Sequence, residues 1–275
     1  MVALVAIVSA GCSPTGATVQ DGDPGMLHVH ALHADPSGTG VLLAAAHTGL
    51  FRIDGQSTER ISDAWHDLMA LAVTPDGTLL ACGHPALDAD HLRLPEHPPH
   101  LGLVRSTDGG RTWQSVALLG EADFHALIVT GDVLLGAEAT AGRLLASTDD
   151  GDTWQKRSRI DLLALAAHPD DTDLLVGTTG DGLVRSEDAG RTWTATATIV
   201  GPVTANTDVF VTAGPDGEVA TSVDGTDWEP AGQLPSTPEA LHASDGRLYA
   251  WTTDGGLQHS DDGGQTWQTT SGTNG

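Results

Sequence analysis

The residues best suited to chemistry in this chain are its histidines, which number 13 against 12 lysines and arginines together. The run MLHVHALH places His28 and His30 two residues apart. Because side chains two apart on a β-strand point to the same side, the two imidazoles are predicted to lie side by side. Neutral imidazole is the commonest metal ligand in proteins, so this spacing favours metal binding.

Five copies of a short motif define the elements that must position these histidines. The pattern is S-x-D-x-G-x-T-W, with the fourth copy one residue shorter, and the copies occupy residues 106–113, 147–154, 186–193, 222–228 and 260–267. Their terminal tryptophans are 41, 39, 35 and 39 residues apart. A period near 40 residues, with several short strands in each unit, is the signature of a β-propeller.

The motif resembles the Asp-box, or BNR repeat, and the chain is similar to Asp-box propellers over nearly its whole length after residue 25. The resemblance implies that each motif is the hairpin between the third and fourth strands of a blade. In such a hairpin the Asp and Ser/Thr side chains bond the turn, Gly takes a positive φ, and Trp packs between sheets. The motif aspartates are therefore predicted to be structural: Asp108, Asp149, Asp188, Asp224 and Asp262.

Strand-like segments precede each motif, and residues 26–64 form one further unit that lacks it. We therefore predict an all-β fold, a six-bladed β-propeller spanning residues 26–272. A closed ring of this kind leaves little exposed sheet edge.

The resemblance also implies that ligands bind on the top face, opposite the motif turns. The loops into each first strand, and those joining second to third strands, form that face and carry histidines from blades one to three. We predict one metal site there, built from His28, His30, His47, His84 and His125, with His66 and Met69 as further candidates. A small-molecule or glycan ligand on the same face is the alternative. Imidazole and thioether together suit copper, and imidazole suits zinc equally well.

The remaining histidines are assigned other places. His33 and His168 are predicted in turns on the bottom face, His242 is isolated on an inner strand, and His259 lies on an outer strand. An insertion at residues 83–101 adds His91, His97 and His100 to the top face. Its prolines indicate a stiff lid, with a variable surface loop as the alternative.

Enzymatic function is the second hypothesis, because Asp-box propellers include sialidases. Those enzymes use three arginines and a tyrosine nucleophile, whereas Tyr249 has no acidic partner here and only Arg93 and Arg143 are predicted to reach the top. Sialidase activity is therefore not expected.

Another glycoside hydrolase would use two carboxylates about 5 to 9.5 Å apart. The candidates on the same three blades are Asp67, Glu121, Asp123 and Glu138. These carboxylates are equally suited to orienting metal-bound imidazoles. A third hypothesis is a non-catalytic scaffold or assembly factor.

Charge and the N-terminal segment bear on partners and location. A net charge of -25 argues against nucleic acid, because phosphate binding needs a basic face. Residues 1–12 end in Ser9-Ala10-Gly11-Cys12, which resembles a bacterial lipobox, although Ser9 stands where Leu is usual and a basic start is missing. An ordinary signal peptide is the alternative.

If Cys12 is lipidated, residues 13–25 form a flexible tether. The runs HVHAL and GEADFHAL also resemble a bacterial group of lipoprotein Asp-box propellers that are labelled glycosyl hydrolase-like. The sequence thus predicts a monomer anchored by lipid to the outer face of a bacterial cell membrane.

Overall fold

The computed structural model describes residues 22–38, 40–55, 57–62 and 64–270. Within these ranges, 24 strands form six antiparallel sheets of four strands each. The strands of every sheet are neighbours in chain order, so each blade is a simple meander. The predicted all-β, six-bladed β-propeller is confirmed.

The blades are numbered in chain order. Blade one contains β1 (Val29–Ala34), β2 (Val41–Ala46), β3 (Gly49–Asp54) and β4 (Ser57–Arg60). Blade two contains β5 (Asp67–Val73), β6 (Leu79–His84), β7 (Leu103–Ser106) and β8 (Gln114–Ala117). Blade three contains β9 (Phe124–Thr130), β10 (Val133–Glu138), β11 (Arg143–Ser147) and β12 (Gln155–Arg159).

The second half of the ring repeats this arrangement. Blade four contains β13 (Ala164–His168), β14 (Asp171–Thr179), β15 (Gly182–Ser186) and β16 (Thr194–Ala197). Blade five contains β17 (Val203–Ala205), β18 (Phe210–Ala213), β19 (Glu218–Ser222) and β20 (Glu229–Gln233). Blade six contains β21 (Pro238–Ser244), β22 (Arg247–Thr252), β23 (Leu257–Ser260) and β24 (Gln268–Thr269). A short 3-10 helix (Asp90–Leu92) lies in the insertion of blade two.

Burial follows the position of a strand within its blade. The second strand of blade one, VLLAAA, is buried at every position because neighbouring sheets cover both of its faces. Its sequence is accordingly a continuous apolar run rather than an alternating one. The outermost strand of the same blade, STER, is largely exposed and polar. The apolar core therefore lies between adjacent blades.

The Asp-box turns hold together through their own side chains. In blade two, the Ser106 hydroxyl donates to Asp108 Oδ1 at 2.7 Å and accepts from the Gly110 amide at 2.8 Å. The other oxygen of Asp108 accepts from the Thr112 hydroxyl at 2.7 Å. These bonds commit the aspartate to the turn, as the resemblance implied.

A glycine of each box also sets the distance between blades. Gly151 has a φ of 91°, and a β-carbon there would lie 2.1 Å from Leu103 Cδ2 in the preceding blade. Gly110, Gly190 and Gly225 face Leu50, Leu144 and Val176 of their preceding blades in the same way. The glycine thus permits a contact that any side chain would obstruct.

Side chains of blade six join the ring to blade one. The Ala34 amide donates to His242 Nε2 at 3.0 Å, and the rings of His33 and His242 are 4.7 Å apart. The prediction that His242 is isolated is therefore wrong. His33 lies within β1 rather than in a solvated turn, and burial lowers the pKa of both imidazoles, that of His242 to about 3.

Two further observations concern the ends of the chain and the membrane. Cys12 and the predicted signal segment lie outside the described residues. Asp23, assigned to the tether, pairs with Arg60, and the Gly25 carbonyl accepts from the Thr48 hydroxyl at 2.7 Å. Across the described ranges, no helix has the length and apolar character needed to span a membrane.

Candidate metal site at the mouth of the central channel

Bulges at the start of four innermost strands shape the mouth of the channel. In each, one residue is skipped in the pairing with the second strand: His30 in blade one, Met69 in blade two, His125 in blade three and Glu239 in blade six. A bulge re-aims the side chain of the extra residue and is common beside functional sites. The same local device therefore directs four side chains with donor atoms toward one region.

The first cluster contains His28, His30 and His47, whose candidate donor atoms all lie within 4.8 Å of one another. The ring centroids of His28 and His30 are 4.6 Å apart. Simple strand alternation does not produce this proximity, because His28 precedes β1 and has a φ of 40°. This left-handed backbone is unfavourable for a non-glycine residue and is typical of functional positions.

The second cluster contains His84, His100 and Asp123, and its donor atoms also lie within 4.8 Å of one another. His84 ends β6, whereas Asp123 immediately precedes β9 in the next blade. His125 adjoins this cluster, with its Nε2 3.2 Å from Asp123 Oδ2. The second cluster thus spans the boundary between blades two and three.

Asp67 connects the two clusters. Its Oδ1 lies 3.5 Å from His30 Nε2 and 3.9 Å from His47 Nδ1, while its Oδ2 lies 3.3 Å from His84 Nδ1. Each carboxylate oxygen therefore faces a different cluster. Asp67 is the first residue of β5, so its position follows directly from the start of the blade-two inner strand.

Unsatisfied polar atoms are concentrated in this region. Among the described residues, seven buried side-chain atoms lack a hydrogen-bond partner, and four of them belong to these clusters or to Asp67. They are His30 Nε2, Asp67 Oδ1, His100 Nδ1 and Asp123 Oδ1. Leaving a buried polar atom without a partner lowers the stability of the folded chain by about 1 to 3 kcal/mol. The clusters therefore have unused capacity for a ligand.

The surroundings set the protonation states of the site. Burial lowers the pKa of His30, which favours the neutral imidazole needed for metal coordination. Burial opposes ionisation of Asp67, but His30, His84 and His47 outweigh it and hold the pKa of that carboxyl well below its usual range. The same carboxylate raises the pKa of His84.

The other predicted site residues have different environments. His66 is 3% exposed, and its Nδ1 accepts from the Ala86 amide at 3.0 Å, so the ring supports the insertion. Met69 lines the channel beside His30 and His125. Glu138 is buried, with its Oε2 2.9 Å from Arg143 Nε, and it caps the following turn through backbone amides.

Glu121 is an exposed residue of a turn. The residues considered for sialidase chemistry are also engaged elsewhere. Tyr249 is 7% exposed in the core between blades six and one. Arg93 donates to the Pro85 and Ala86 carbonyl oxygens at 2.9 and 3.3 Å. Tyr249 and Arg93 therefore have structural contacts in this fold.

Sequence reasoning assigned no metal-ligand role to His100 or Glu239. His100 closes the insertion, where its carbonyl oxygen accepts from the Gly120 amide at 2.8 Å and Ala86, Ala89 and Leu92 are buried in the core. Its position at the end of a proline-rich insertion was the available signal. Glu239 is 211 residues from His28 in the chain, yet its Oε1 lies 2.8 Å from His28 Nδ1. Its Oε2 accepts from the Val29 amide at 2.9 Å.

The channel beneath the site is narrow. Innermost strands of all six blades line it, and its cavity volume is about 100 Å³. Small-molecule sites usually occupy 300 to about 1,000 Å³. Leu163 and Pro202 line the side opposite the histidines. These dimensions suit an ion with a few waters better than a sugar chain.

Sequence comparison identifies the repeat. The family model of the BNR/Asp-box repeat matches residues 104–115 and 258–269, which contain the boxes of blades two and six. No curated protein sequence shows significant similarity to the chain.

Several solved structures share the architecture. A gluconolactonase from Xanthomonas campestris has 16% identity and a TM-score of 0.62, over 82% of this chain and 84% of its own. Virginiamycin B lyase from Staphylococcus aureus has 12% identity and a TM-score of 0.57, over 88% of this chain and 83% of its own. A GH74 xyloglucanase from Xanthomonas campestris has 19% identity and a TM-score of 0.54, over 89% of this chain and 45% of its own. At these identities the similarity concerns the fold alone. The chain is a six-bladed β-propeller that carries BNR/Asp-box repeats.

Proposed function

We propose that this propeller binds copper or zinc at the mouth of its central channel. The observation that carries the proposal is the convergence of His28, His30 and His47, whose donor atoms lie within 4.8 Å of one another. Three imidazoles with an open fourth position are a recurring arrangement for zinc, and imidazole also suits copper.

The environment of each ring supports metal binding. Because His28 Nδ1 lies beside Glu239, its other ring nitrogen is free to bind a metal, as in carboxylate–histidine–metal arrangements. The side chain of His30 is 11% exposed and has an unsatisfied Nε2. A cation bound there would satisfy that atom without protonating it. The net charge of -25 further favours attraction of cations.

The carboxylates support the metal proposal better than they support a glycosidase. A glycosidase of this kind needs one carboxyl that stays protonated to act as an acid. Burial raises the pKa of Asp67 and Asp123, but neighbouring histidines lower both by more, so both carboxyls favour the ionised form. Glu138 is engaged with Arg143.

We further propose that the mature propeller is a monomeric lipoprotein, anchored through Cys12 to the outer face of a bacterial cell membrane. The support is the lipobox-like run at residues 9–12 and the polar segment that follows it. Radiolabelled fatty acid should be incorporated into the wild type and not into Cys12→Ala.

The metal proposal is tested by calorimetric titration of Cu²⁺ and Zn²⁺ into wild type and a His30→Ala/His47→Ala variant. We expect the wild type to bind and the variant to lose binding at this cluster. His97→Ala, which changes an exposed histidine of the insertion, serves as the matched control and should bind like wild type. Equal binding by wild type and the double variant would refute the assignment.

A further inference from the structure

We infer that the mouth of the channel holds two metal ions, one in each histidine cluster, with the Asp67 carboxylate bridging them. This inference rests on the proposed metal-binding function and extends it from one ion to two. The ligand class is a pair of divalent transition-metal ions, for which zinc and Cu²⁺ are the probes.

The unsatisfied atoms divide evenly between the clusters. His30 Nε2 and Asp67 Oδ1 face each other at 3.5 Å in the first cluster, too far for a good hydrogen bond. His100 Nδ1 and Asp123 Oδ1 are the unsatisfied atoms of the second. One ion in the first cluster would leave the second pair without a partner. Two ions would satisfy all four atoms.

Asp67 has the orientation that a bridging ligand requires. Its Oδ1 faces His30 and His47, whereas its Oδ2 faces His84 at 3.3 Å. One carboxylate can donate one oxygen to each of two metals, and paired metals in two-metal sites are about 3.5 to 4 Å apart. The short reach of a carboxylate therefore makes two ions on Asp67 close neighbours.

The carboxylates at the mouth compensate most of the charge of two divalent ions. Asp67 and Asp123 lie within the clusters, and Glu239 contacts His28, so three carboxylates surround the histidines. One divalent ion would leave one unit of negative charge among partly buried groups. A second divalent ion would leave one unit of positive charge, which the net charge of -25 over the chain helps to offset.

Each cluster provides a variant that should leave the fold intact. The side chain of His47 is 48% exposed and lies in the turn after β2, so His47→Ala removes a first-cluster donor at little structural cost. His100→Ala removes the ring with the unsatisfied Nδ1 while keeping the backbone bonds of the insertion. His97→Ala again provides the matched control.

The experiment loads the metal-free mature chain with Zn²⁺ and counts bound ions by native mass spectrometry and elemental analysis. We expect two ions per chain in wild type and His97→Ala, and one in His47→Ala and in His100→Ala. One ion in wild type, lost in His47→Ala and kept in His100→Ala, would overturn the two-ion inference but leave the proposed function standing. An absence of bound zinc and copper in wild type would overturn both.

Loading with Cu²⁺ tests the bridge separately. Two Cu²⁺ ions joined by one carboxylate should couple magnetically, so the wild-type EPR signal should integrate to well under two spins per chain. His47→Ala and His100→Ala should each give one full spin. If wild type binds two Cu²⁺ ions that integrate to two independent spins, the bridging role of Asp67 is refuted.

Discussion

His242 provides a quantitative test of how blade six is joined to blade one. Its Nε2 accepts the Ala34 amide at 3.0 Å, which requires that nitrogen to be unprotonated. Burial and the neighbouring His33 lower the pKa of His242 from 6.5 to about 3. In the unfolded chain the same imidazole takes up a proton as the pH falls below 6.5. Acid should therefore selectively stabilise the unfolded state.

The magnitude follows from the difference in bound protons. Below pH 6.5 the unfolded chain holds about one proton more at His242 than the folded chain does. This difference persists until the pH approaches about 3, the pKa of His242 in the folded chain. Each pH unit in that window lowers the free energy of unfolding by about 1.4 kcal/mol. Between pH 7.5 and pH 4.5 the His242 contribution is therefore on the order of 3 kcal/mol.

Urea unfolding of wild type and His242→Gln at the two pH values measures this contribution. Glutamine retains a neutral acceptor near the Ala34 amide but does not titrate. We expect the stability advantage of wild type over His242→Gln to decrease by about 3 kcal/mol at pH 4.5. His97→Gln, at an exposed histidine, should follow wild type. If wild type and His242→Gln lose stability in parallel, the imidazole does not make the contact described.

Three further outcomes follow from the packing and the site. Gly151→Ala should lower the free energy of unfolding by about 1 to 3 kcal/mol in urea titration, because its β-carbon would overlap Leu103; unchanged stability would contradict the close approach. Trp113→Ala should cost about 3 to 5 kcal/mol by the same assay, since the indole is 5% exposed; a loss under 1 kcal/mol would place the ring outside the core. Zinc affinity should fall as the pH drops, because protons compete with the metal for imidazole, and it should fall at a higher pH in the second cluster than in the first, because Asp67 raises the pKa of His84 whereas burial lowers that of His30. Calorimetry at pH 7.5 and 5.5 on His47→Ala and His100→Ala separates the clusters, and pH-independent binding would exclude histidine ligands.

The repeat made the fold predictable. Each box combines a turn closed by Asp and Ser side chains with a tryptophan, and the Asp108 bonds are entirely local. Interactions within eight residues can be read from the sequence because no distant partner decides them. The blade count and the placement of the boxes followed from their spacing.

The site was predictable only in part because its geometry depends on distant partners. Strand periodicity predicted that His28 and His30 would be neighbours. In the structure, however, a bulge at His30 and the left-handed backbone of His28 produce that proximity. The contact of His28 with Glu239 joins residues 211 apart, and His242 meets His33 across the same junction. Local sequence spacing carries no signal for such distant pairs.

Metal binding and ring closure share the same residues, which yields a final prediction. Glu239 of blade six holds both the Val29 amide and the His28 ring, and Asp67 and Asp123 extend the contacts into blades two and three. An ion bound only by the folded chain stabilises it by about 2.7 kcal/mol at a free concentration one hundred times its Kd. Zinc should therefore raise the unfolding midpoint of wild type, and raise it less in His47→Ala, whereas His97→Ala should match wild type. Differential scanning calorimetry with and without zinc measures both shifts. An equal shift in wild type and His47→Ala would show that the stabilising ion binds outside the first cluster.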